Sequence, residues 1–115
     1  MLLVDDEADI RIVLSTALTA AGHRVLEAGD GSAALDTIRS GGVDVVLLDL
    51  MLPVMDGWAV LWTLHDMPTH PPVIVVSALS PQPDHDPPLG AVSYLQKPFL
   101  PEELVRTIQE ALASP

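Results

Sequence analysis

The stretch Asp44-Val45-Val46-Leu47-Leu48-Asp49 decides the fold, because four consecutive apolar residues, two of them β-branched, stand between two aspartates. A strand that is apolar at every position is typical of a parallel sheet covered by helices on both faces. A second run of this kind, Val73-Ile74-Val75-Val76, lies further along the chain. The two runs predict an α/β domain built around a parallel sheet.

Outward from these two runs, strands and helices alternate, with about five of each. Further short strands are predicted at residues 2–4, 24–28 and 91–95. Apolar residues recur at helical spacing in four segments, at residues 10–21, 34–38, 58–64 and 104–112. This alternation predicts a single domain over residues 1–115, with helices on both faces of the sheet.

The composition of the 115 residues excludes several classes of function. Apolar residues make up 49% of the chain, too many for a disordered protein, and there is no cysteine for a disulfide scaffold or a thiolate metal site. No apolar run approaches the ~20 residues of a membrane helix, and residues 1–4 lack the basic start of a signal peptide. The net charge of −11 would repel nucleic-acid phosphates. We expect a small, acidic, soluble domain in the cytoplasm that binds neither membrane nor nucleic acid.

Polar side chains follow four of the predicted strands. They are Asp5 and Asp6 after the first strand, Asp49 after the third, Ser77 after the fourth and Lys97 after the fifth. The carboxyl ends of parallel strands share one edge of the sheet, where functional groups of α/β proteins gather. Each residue alone also fits an ordinary role, such as a helix cap, a turn or a solvated charge. Five of them at successive strand ends are much harder to explain by chance, so we predict one site.

Three neighbouring carboxylates would repel one another unless a divalent cation binds between them. Oxygen ligands, with no histidine or cysteine nearby in sequence, favour Mg²⁺ or Mn²⁺ over Zn²⁺. Lys97 adds a positive charge for a phosphate, and Ser77 adds a hydrogen-bond donor. This set suits phosphoryl transfer to a carboxylate nucleophile, which gives an aspartyl phosphate.

Four motifs, in this order, resemble one known family. They are LVDDE at residues 3–7, LLDLMLPVMDG at 47–57, VSA at 76–78 and YLQKPF at 94–99. Together they resemble the receiver domain of two-component response regulators over essentially the whole chain. The resemblance implies a flavodoxin-like, doubly wound five-stranded parallel sheet in the order 2-1-3-4-5. It also implies a phospho-accepting signalling domain that catalyses its own phosphorylation.

The resemblance implies a role for each residue at the metal and phosphate site. Asp49 resembles the phosphorylated aspartate. Asp6 resembles a direct ligand of Mg²⁺, and Asp5 resembles a ligand that acts partly through water. Met51 stands where the family uses a backbone carbonyl as a metal ligand. Lys97 resembles the lysine that pairs with the phosphate.

The resemblance also implies a conformational switch and a set of partners. Ser77 resembles the switch hydroxyl, Tyr94 the switch aromatic, and the bond before Pro98 a cis peptide. The phosphoryl donor would be a histidine of a sensor kinase or of a phosphotransfer protein, and its docking site is expected to include three α-helical residues, Ile10, Arg11 and Leu14. The output would pass to a downstream protein or a detached effector domain, with a dimer linked to phosphorylation as a further implied property.

Two features depart from the family pattern. The segment between Ser77 and Lys97 is about two residues shorter than usual, and residues 80–90 contain four prolines, which remove helix donors and clash with the preceding turn. We therefore expect the helix between the fourth and fifth strands to be shortened or irregular, with at most about one helical turn. Met51 and Leu79 are apolar where other receivers tune dephosphorylation, which predicts slow self-dephosphorylation.

Three other functions fit parts of the same sequence pattern. A receiver-like protein-interaction module with impaired phospho-switching remains the alternative, although all five site residues are present. An aspartate-nucleophile phosphatase needs a second carboxylate two residues after the nucleophile, where this chain has Met51. A flavin-binding domain needs a phosphate-binding loop after the first strand, where residues 5–7 are acidic.

Overall fold

A computed structural model describes residues 1–52, 57–78, 91 and 93–113 of the protein. The described residues form a parallel five-stranded sheet in the order β2-β1-β3-β4-β5, which confirms the predicted 2-1-3-4-5 order. The strands are β1 (Leu2–Val4), β2 (Leu26–Ala28), β3 (Val46–Asp49), β4 (Val73–Ser77) and β5 (Ser93–Gln96). The helices are α1 (Ala8–Ala20), α2 (Gly31–Ser40), α3 (Gly57–His65) and α4 (Pro101–Ala113).

The central strands β1, β3 and β4 are buried on both faces, as their apolar runs predict. Residues at alternate positions along β1, β3 and β4 point to opposite faces, so each strand contributes to two core layers. One layer packs beneath α2 and α3, and its strand residues include Val4, Leu48 and Val75. The other packs beneath α1 and α4, and its strand residues include Leu3 and Leu47. Helices therefore cover both faces of the sheet.

The ends of the helices follow from local sequence signals. Asp30 caps α2, with its side-chain oxygen accepting a hydrogen bond of 2.8 Å from the N–H of Ala33. After α1 the chain turns through Gly22, whose φ of 96° is the left-handed conformation that glycine favours. Pro101 begins α4, where a missing N–H leaves no hydrogen bond unmade. The turns that return the chain to the sheet are therefore encoded locally.

The expected irregular helix between β4 and β5, at residues 80–90, lies outside the described residues. So does Leu79, one of the two apolar positions expected to slow dephosphorylation. Among the helices that the structure describes, none combines the length and apolar character needed to cross a membrane.

Candidate functional site

The sheet order brings the polar strand ends together at one edge. β1 lies directly beside β3 with Val4 opposite Leu48, so the residues that follow these two in the chain, Asp5 and Asp49, become neighbours. Asp49 is in turn next to β4, which ends at Ser77. Lys97 follows β5, and its backbone N–H donates a 2.7 Å hydrogen bond to the carbonyl oxygen of Ser77. Four strands thus deliver side chains to one place.

Three carboxylates form a cluster at this edge. Asp5, Asp6 and Asp49 each offer an oxygen, and these oxygens all lie within 4.8 Å of one another. Asp5 and Asp49 are almost fully buried, at 1% and 3% exposure, whereas Asp6 is exposed. The set of hard oxygen ligands, partly open to solvent, fits Mg²⁺ or Mn²⁺.

Lys97 bridges the two buried carboxylates. Its Nζ donates hydrogen bonds to Oδ2 of Asp49 at 2.8 Å and to Oδ2 of Asp5 at 3.0 Å. Burial disfavours the charged ammonium, but the hydrogen bonds to Asp49 and Asp5 outweigh this effect and raise the pKa of Lys97 above its ordinary value. Lys97 is therefore a fixed positive charge in the middle of the cluster.

The other oxygen of each buried carboxylate is held by the backbone two residues further on. Oδ1 of Asp5 accepts the N–H of Glu7 at 2.9 Å, and Oδ1 of Asp49 accepts the N–H of Met51 at 2.9 Å. In the part of the chain that the structure describes, the carboxylate of Asp6 has no hydrogen bond or ion pair. All four carboxylate oxygens of the buried pair thus have hydrogen-bond partners, while the carboxylate of Asp6 is left free to bind something else.

Gly57 fixes the return of the chain beside the cluster. Its N–H donates to the carbonyl oxygen of Leu50 at 3.0 Å, and α3 begins there. A Cβ atom at this position would lie 2.5 Å from both the backbone oxygen of Asp49 and the Cα of Leu50. Only glycine allows α3 to start so close to the end of β3.

A cleft of about 230 Å³ opens over the cluster, and its six lining residues are Asp6, Glu7, Asp49, Met51, Ala78 and Lys97. Met51 is 62% exposed at its mouth. Ser77 is fully buried and is not among the lining residues, whereas its neighbour Ala78 is. The cleft therefore exposes three of the five predicted site residues, with Asp5 and Ser77 beneath its surface.

The remaining predicted residues lie around this cleft. Tyr94 is partly buried against the core layer beneath α2 and α3. The Lys97–Pro98 peptide bond is cis. Ile10 and Leu14 line a largely apolar groove of about 270 Å³ beside Lys97, but Leu14 is only 5% exposed. Arg11 does not line this groove, and its guanidinium bonds the backbone oxygen of Asp5.

Two contributions to the site were not identified from the sequence. One is the backbone N–H of Glu7, although an aspartate that accepts the N–H two residues later is a known turn pattern and could have been recognised. The other is Val13, which lines the apolar groove and is 57% exposed. Its helical spacing from Ile10 was the available signal.

Comparison with known sequences agrees with this geometry. The family profile described as "Response regulator receiver domain" matches residues 1–109. The "Probable transcriptional regulator ycf27" of Porphyridium aerugineum is 40% identical over 114 residues, which cover 97% of this chain and 47% of that protein. The chain thus spans about half the length of the curated relatives it matches.

Comparison with solved structures gives the same answer. The receiver domain of the Francisella response regulator 1452 superposes with a TM-score of 0.89 at 31% identity, covering 96% of this chain and 93% of that one. The response regulator TrrA of Thermotoga maritima, solved in complex with Mg²⁺ and BeF, has a TM-score of 0.85 at 29% identity, with 96% of each chain covered. The chain therefore belongs to the response regulator receiver domains, the phospho-accepting signalling domains of two-component systems.

Proposed function

We propose that Asp49 accepts a phosphoryl group from a histidine of a sensor kinase or phosphotransfer protein, with Mg²⁺ bound by the neighbouring carboxylates. The observation that carries this proposal is the cluster of Asp5, Asp6 and Asp49 around the ammonium of Lys97. The metal ligands would be the carboxylates of Asp6 and Asp49, Asp5 in part through water, and the backbone carbonyl of Met51. The ion would neutralise negative charge on the carboxylates and on the incoming phosphoryl oxygens.

The transfer is a displacement at phosphorus. A carboxylate oxygen of Asp49 forms the new bond to phosphorus while the phosphorus–nitrogen bond to the donor histidine breaks. The electron pair of that bond stays with the imidazole nitrogen, which is then protonated. The domain contributes by holding the nucleophile in place, since the N–H of Met51 and the Nζ of Lys97 each fix one oxygen of Asp49.

Lys97 has a second role once phosphate is present. Its ammonium already lies 2.8 Å from Asp49, so it needs only a small movement to contact a phosphoryl group carried there. Charge-assisted contacts of this kind are stronger than neutral hydrogen bonds. We propose that the ammonium of Lys97 exchanges hydrogen bonds to the carboxylates for hydrogen bonds to the phosphoryl oxygens.

The switch uses residues behind the cleft. Ser77 is buried and is followed in the chain by Ala78, which lines the cleft. Tyr94, on β5, is partly buried against the core layer beneath α2 and α3. We propose that phosphorylation favours a conformation in which the Ser77 hydroxyl contacts the phosphoryl group and Tyr94 moves inward. Such a change is a shift between two existing conformations, driven by the new contacts.

The phosphoryl donor docks beside the cleft, at the apolar groove between α1 and the start of α4. Ile10, Val13, Phe99 and Pro101 line this groove, and Lys97 connects it to Asp49. Val13 replaces the buried Leu14 as the exposed apolar contact in this proposal. A helix presenting a histidine next to an apolar face would fit there.

The output lies beyond this domain. Because the chain spans about half of the curated relatives, and those proteins are named as transcriptional regulators, we propose that phosphorylation controls a further domain or a separate downstream protein in the cytoplasm. A phosphorylation-linked dimer is one way to transmit this signal.

The test is phosphorylation with acetyl phosphate, which needs no partner protein, followed by intact-mass measurement. We expect the wild type to gain one phosphoryl group with Mg²⁺, none in a chelator, and Asp49→Asn to gain none with Mg²⁺. Phosphorylation of Asp49→Asn would contradict the assignment of the acceptor. A wild type that folds but is never modified would favour the alternative of an interaction module with impaired switching.

A further inference from the structure

Every polar atom of Asp5 makes a hydrogen bond, and the bond to its backbone carbonyl oxygen comes from a charged side chain outside the carboxylate cluster. Its N–H donates to the carbonyl oxygen of Ala28 at 3.1 Å, and its two carboxylate oxygens accept from Glu7 and Lys97. Its backbone carbonyl oxygen accepts a 2.6 Å hydrogen bond from Nη1 of Arg11. Arg11 therefore contacts the backbone of the cluster without touching any of its carboxylates.

The side chain of Arg11 is itself held in place. Its Nε lies 3.3 Å from Oε1 of Glu27 on β2, and only 21% of the side chain is exposed. Gly29 leaves room for the guanidinium, since a Cβ atom there would lie 3.3 Å from Nη1. The planar guanidinium of Arg11, which lies on α1, is thus held in one orientation by contacts with the edge strand β2 and the end of β1.

The carbonyl that Arg11 holds belongs to the peptide unit joining Asp5 to Asp6. A peptide unit is planar, so fixing the direction of its oxygen also fixes the direction in which the chain continues to Asp6. Among the described residues, Asp6 is the member of the cluster whose carboxylate has no partner to hold it. Its position therefore depends on the backbone that Arg11 orients.

We propose that Arg11 is a positioning residue for the metal site, acting through the Asp5–Asp6 peptide; this inference rests on the proposed function. Arg11 binds no metal and no phosphate in this role. It holds Asp6 where its carboxylate can join those of Asp5 and Asp49 around one cation. The family resemblance implied instead that Arg11 belongs to the docking surface, together with Ile10 and Leu14.

The direction in which Mg²⁺ affinity changes when Arg11 is replaced separates this positioning role from a simple charge effect. Arg11 is positive, so if its charge alone mattered, removing it would strengthen the binding of Mg²⁺. If Arg11 positions Asp6, removing it weakens binding, as loss of supporting residues around metal sites does by about tenfold or more.

The experiment is a Mg²⁺ titration of the whole domain, followed by calorimetry, for the wild type, Arg11→Met, Arg11→Lys and Glu27→Gln. We expect about tenfold weaker binding for Arg11→Met, partial rescue by Arg11→Lys, and near wild-type binding for Glu27→Gln, which leaves the bond to Asp5 intact. Binding by Arg11→Met that equals or exceeds wild type would overturn the inference. Loss of binding in Glu27→Gln as large as in Arg11→Met would also overturn it.

Arg11→Gln is the second variant if Arg11→Met does not fold, because its shorter, uncharged side chain cannot bridge Glu27 and the carbonyl oxygen of Asp5 as the guanidinium does. We expect this variant to bind Mg²⁺ more weakly than the wild type, whereas equal or tighter binding would contradict the inference. A wild type that binds no Mg²⁺ would instead overturn the proposed function, so the two failures are distinguishable.

Discussion

One cationic side chain contacts the carboxylate cluster from the side of β2 and another from the side of β5. They are Arg11 of α1 and Lys97, and they bond different kinds of atom. Lys97, after β5, donates to carboxylate oxygens of Asp5 and Asp49, whereas Arg11 donates to the backbone oxygen of Asp5. A cation bonded to a carboxylate competes with a metal ion for it, and a cation bonded to the backbone leaves the carboxylates available. We therefore expect the contacted atom, more than the charge, to decide how each residue affects metal binding.

The largest effect is expected at Asp6, the carboxylate that neither cation contacts. Asp6→Asn removes a direct ligand, so Mg²⁺ affinity should fall by about 100-fold or more, beyond the loss typical of supporting residues. Without metal the variant should melt at a higher temperature, because one of three neighbouring negative charges is gone. Titration calorimetry and thermal melts in chelator measure the two effects. Unchanged Mg²⁺ affinity would show that Asp6 is not a ligand.

A smaller, opposite effect on metal binding is expected at Lys97. Lys97→Met removes the competing ammonium, so Mg²⁺ should bind more tightly, by about tenfold. The same change leaves two buried carboxylates without their counterion, which should destabilise the metal-free protein by about 2 kcal/mol, less than for a fully buried pair.

The matched control for that variant is Lys97→Arg, which keeps the charge. Lys97→Arg should bind Mg²⁺ nearly as the wild type does. Lys97→Met should instead be phosphorylated slowly by acetyl phosphate. Weaker Mg²⁺ binding in Lys97→Met would contradict the expected difference between Lys97 and Arg11, because both side chains would then favour metal binding.

A several-fold effect is expected at Met51, which is 62% exposed at the mouth of the cleft. Hydrolysis of the aspartyl phosphate needs a water molecule aligned with the phosphorus–oxygen bond, and Met51 offers no strong hydrogen bond to hold one. Met51→Asn should therefore shorten the lifetime of the phosphorylated state, whereas Met51→Leu should leave it unchanged. The decay is followed by intact mass after the phosphoryl donor is removed. Equal decay rates of the phosphorylated wild type, Met51→Asn and Met51→Leu would show that residues other than Met51 determine the lifetime of the phosphorylated state.

The smallest effect concerns alkaline pH. The pKa of Lys97 is raised in the folded protein, so its contribution to stability is complete below the unfolded value of about 10.4 and is lost as pH rises through the folded value. Lys97→Arg stays charged over this range. Urea unfolding at pH 8 and above pH 10.4 should show the wild type losing more stability than Lys97→Arg. Parallel losses would mean that Lys97 contributes little to this dependence.

Most of the fold and the centre of the site follow from the sequence. Apolar runs such as residues 45–48 predict buried parallel strands, and the family resemblance implies their order. Once the order is known, the meeting of Asp5, Asp49 and Lys97 follows from geometry, because each ends or follows a strand. Residues that act through their place at the end of a strand are predictable in this way.

Residues whose role depends on side-chain direction were not predictable. Arg11 and Leu14 lie on α1 as expected, but Arg11 turns toward β2 and Leu14 packs into the core. Trp58 and Trp62 lie one turn apart on α3; they are 40% and 57% exposed, and Trp62 makes an edge-on ring contact with His65. An α3 that is apolar on nearly every face gives no pattern from which to choose the buried side.

The Lys97 bridge has a consequence for the net charge of the site through the signalling cycle. The three carboxylates and the ammonium together carry a formal charge of −2. A divalent cation would bring this to zero, and a dianionic phosphoryl group that replaces the charge of Asp49 would bring it to −1. The total changes so little that the phosphorylated state cannot be signalled by charge alone. In the switch proposed above, Lys97 and the hydroxyl of Ser77 change their contacts, so we expect the signal to be read as a rearrangement of contacts.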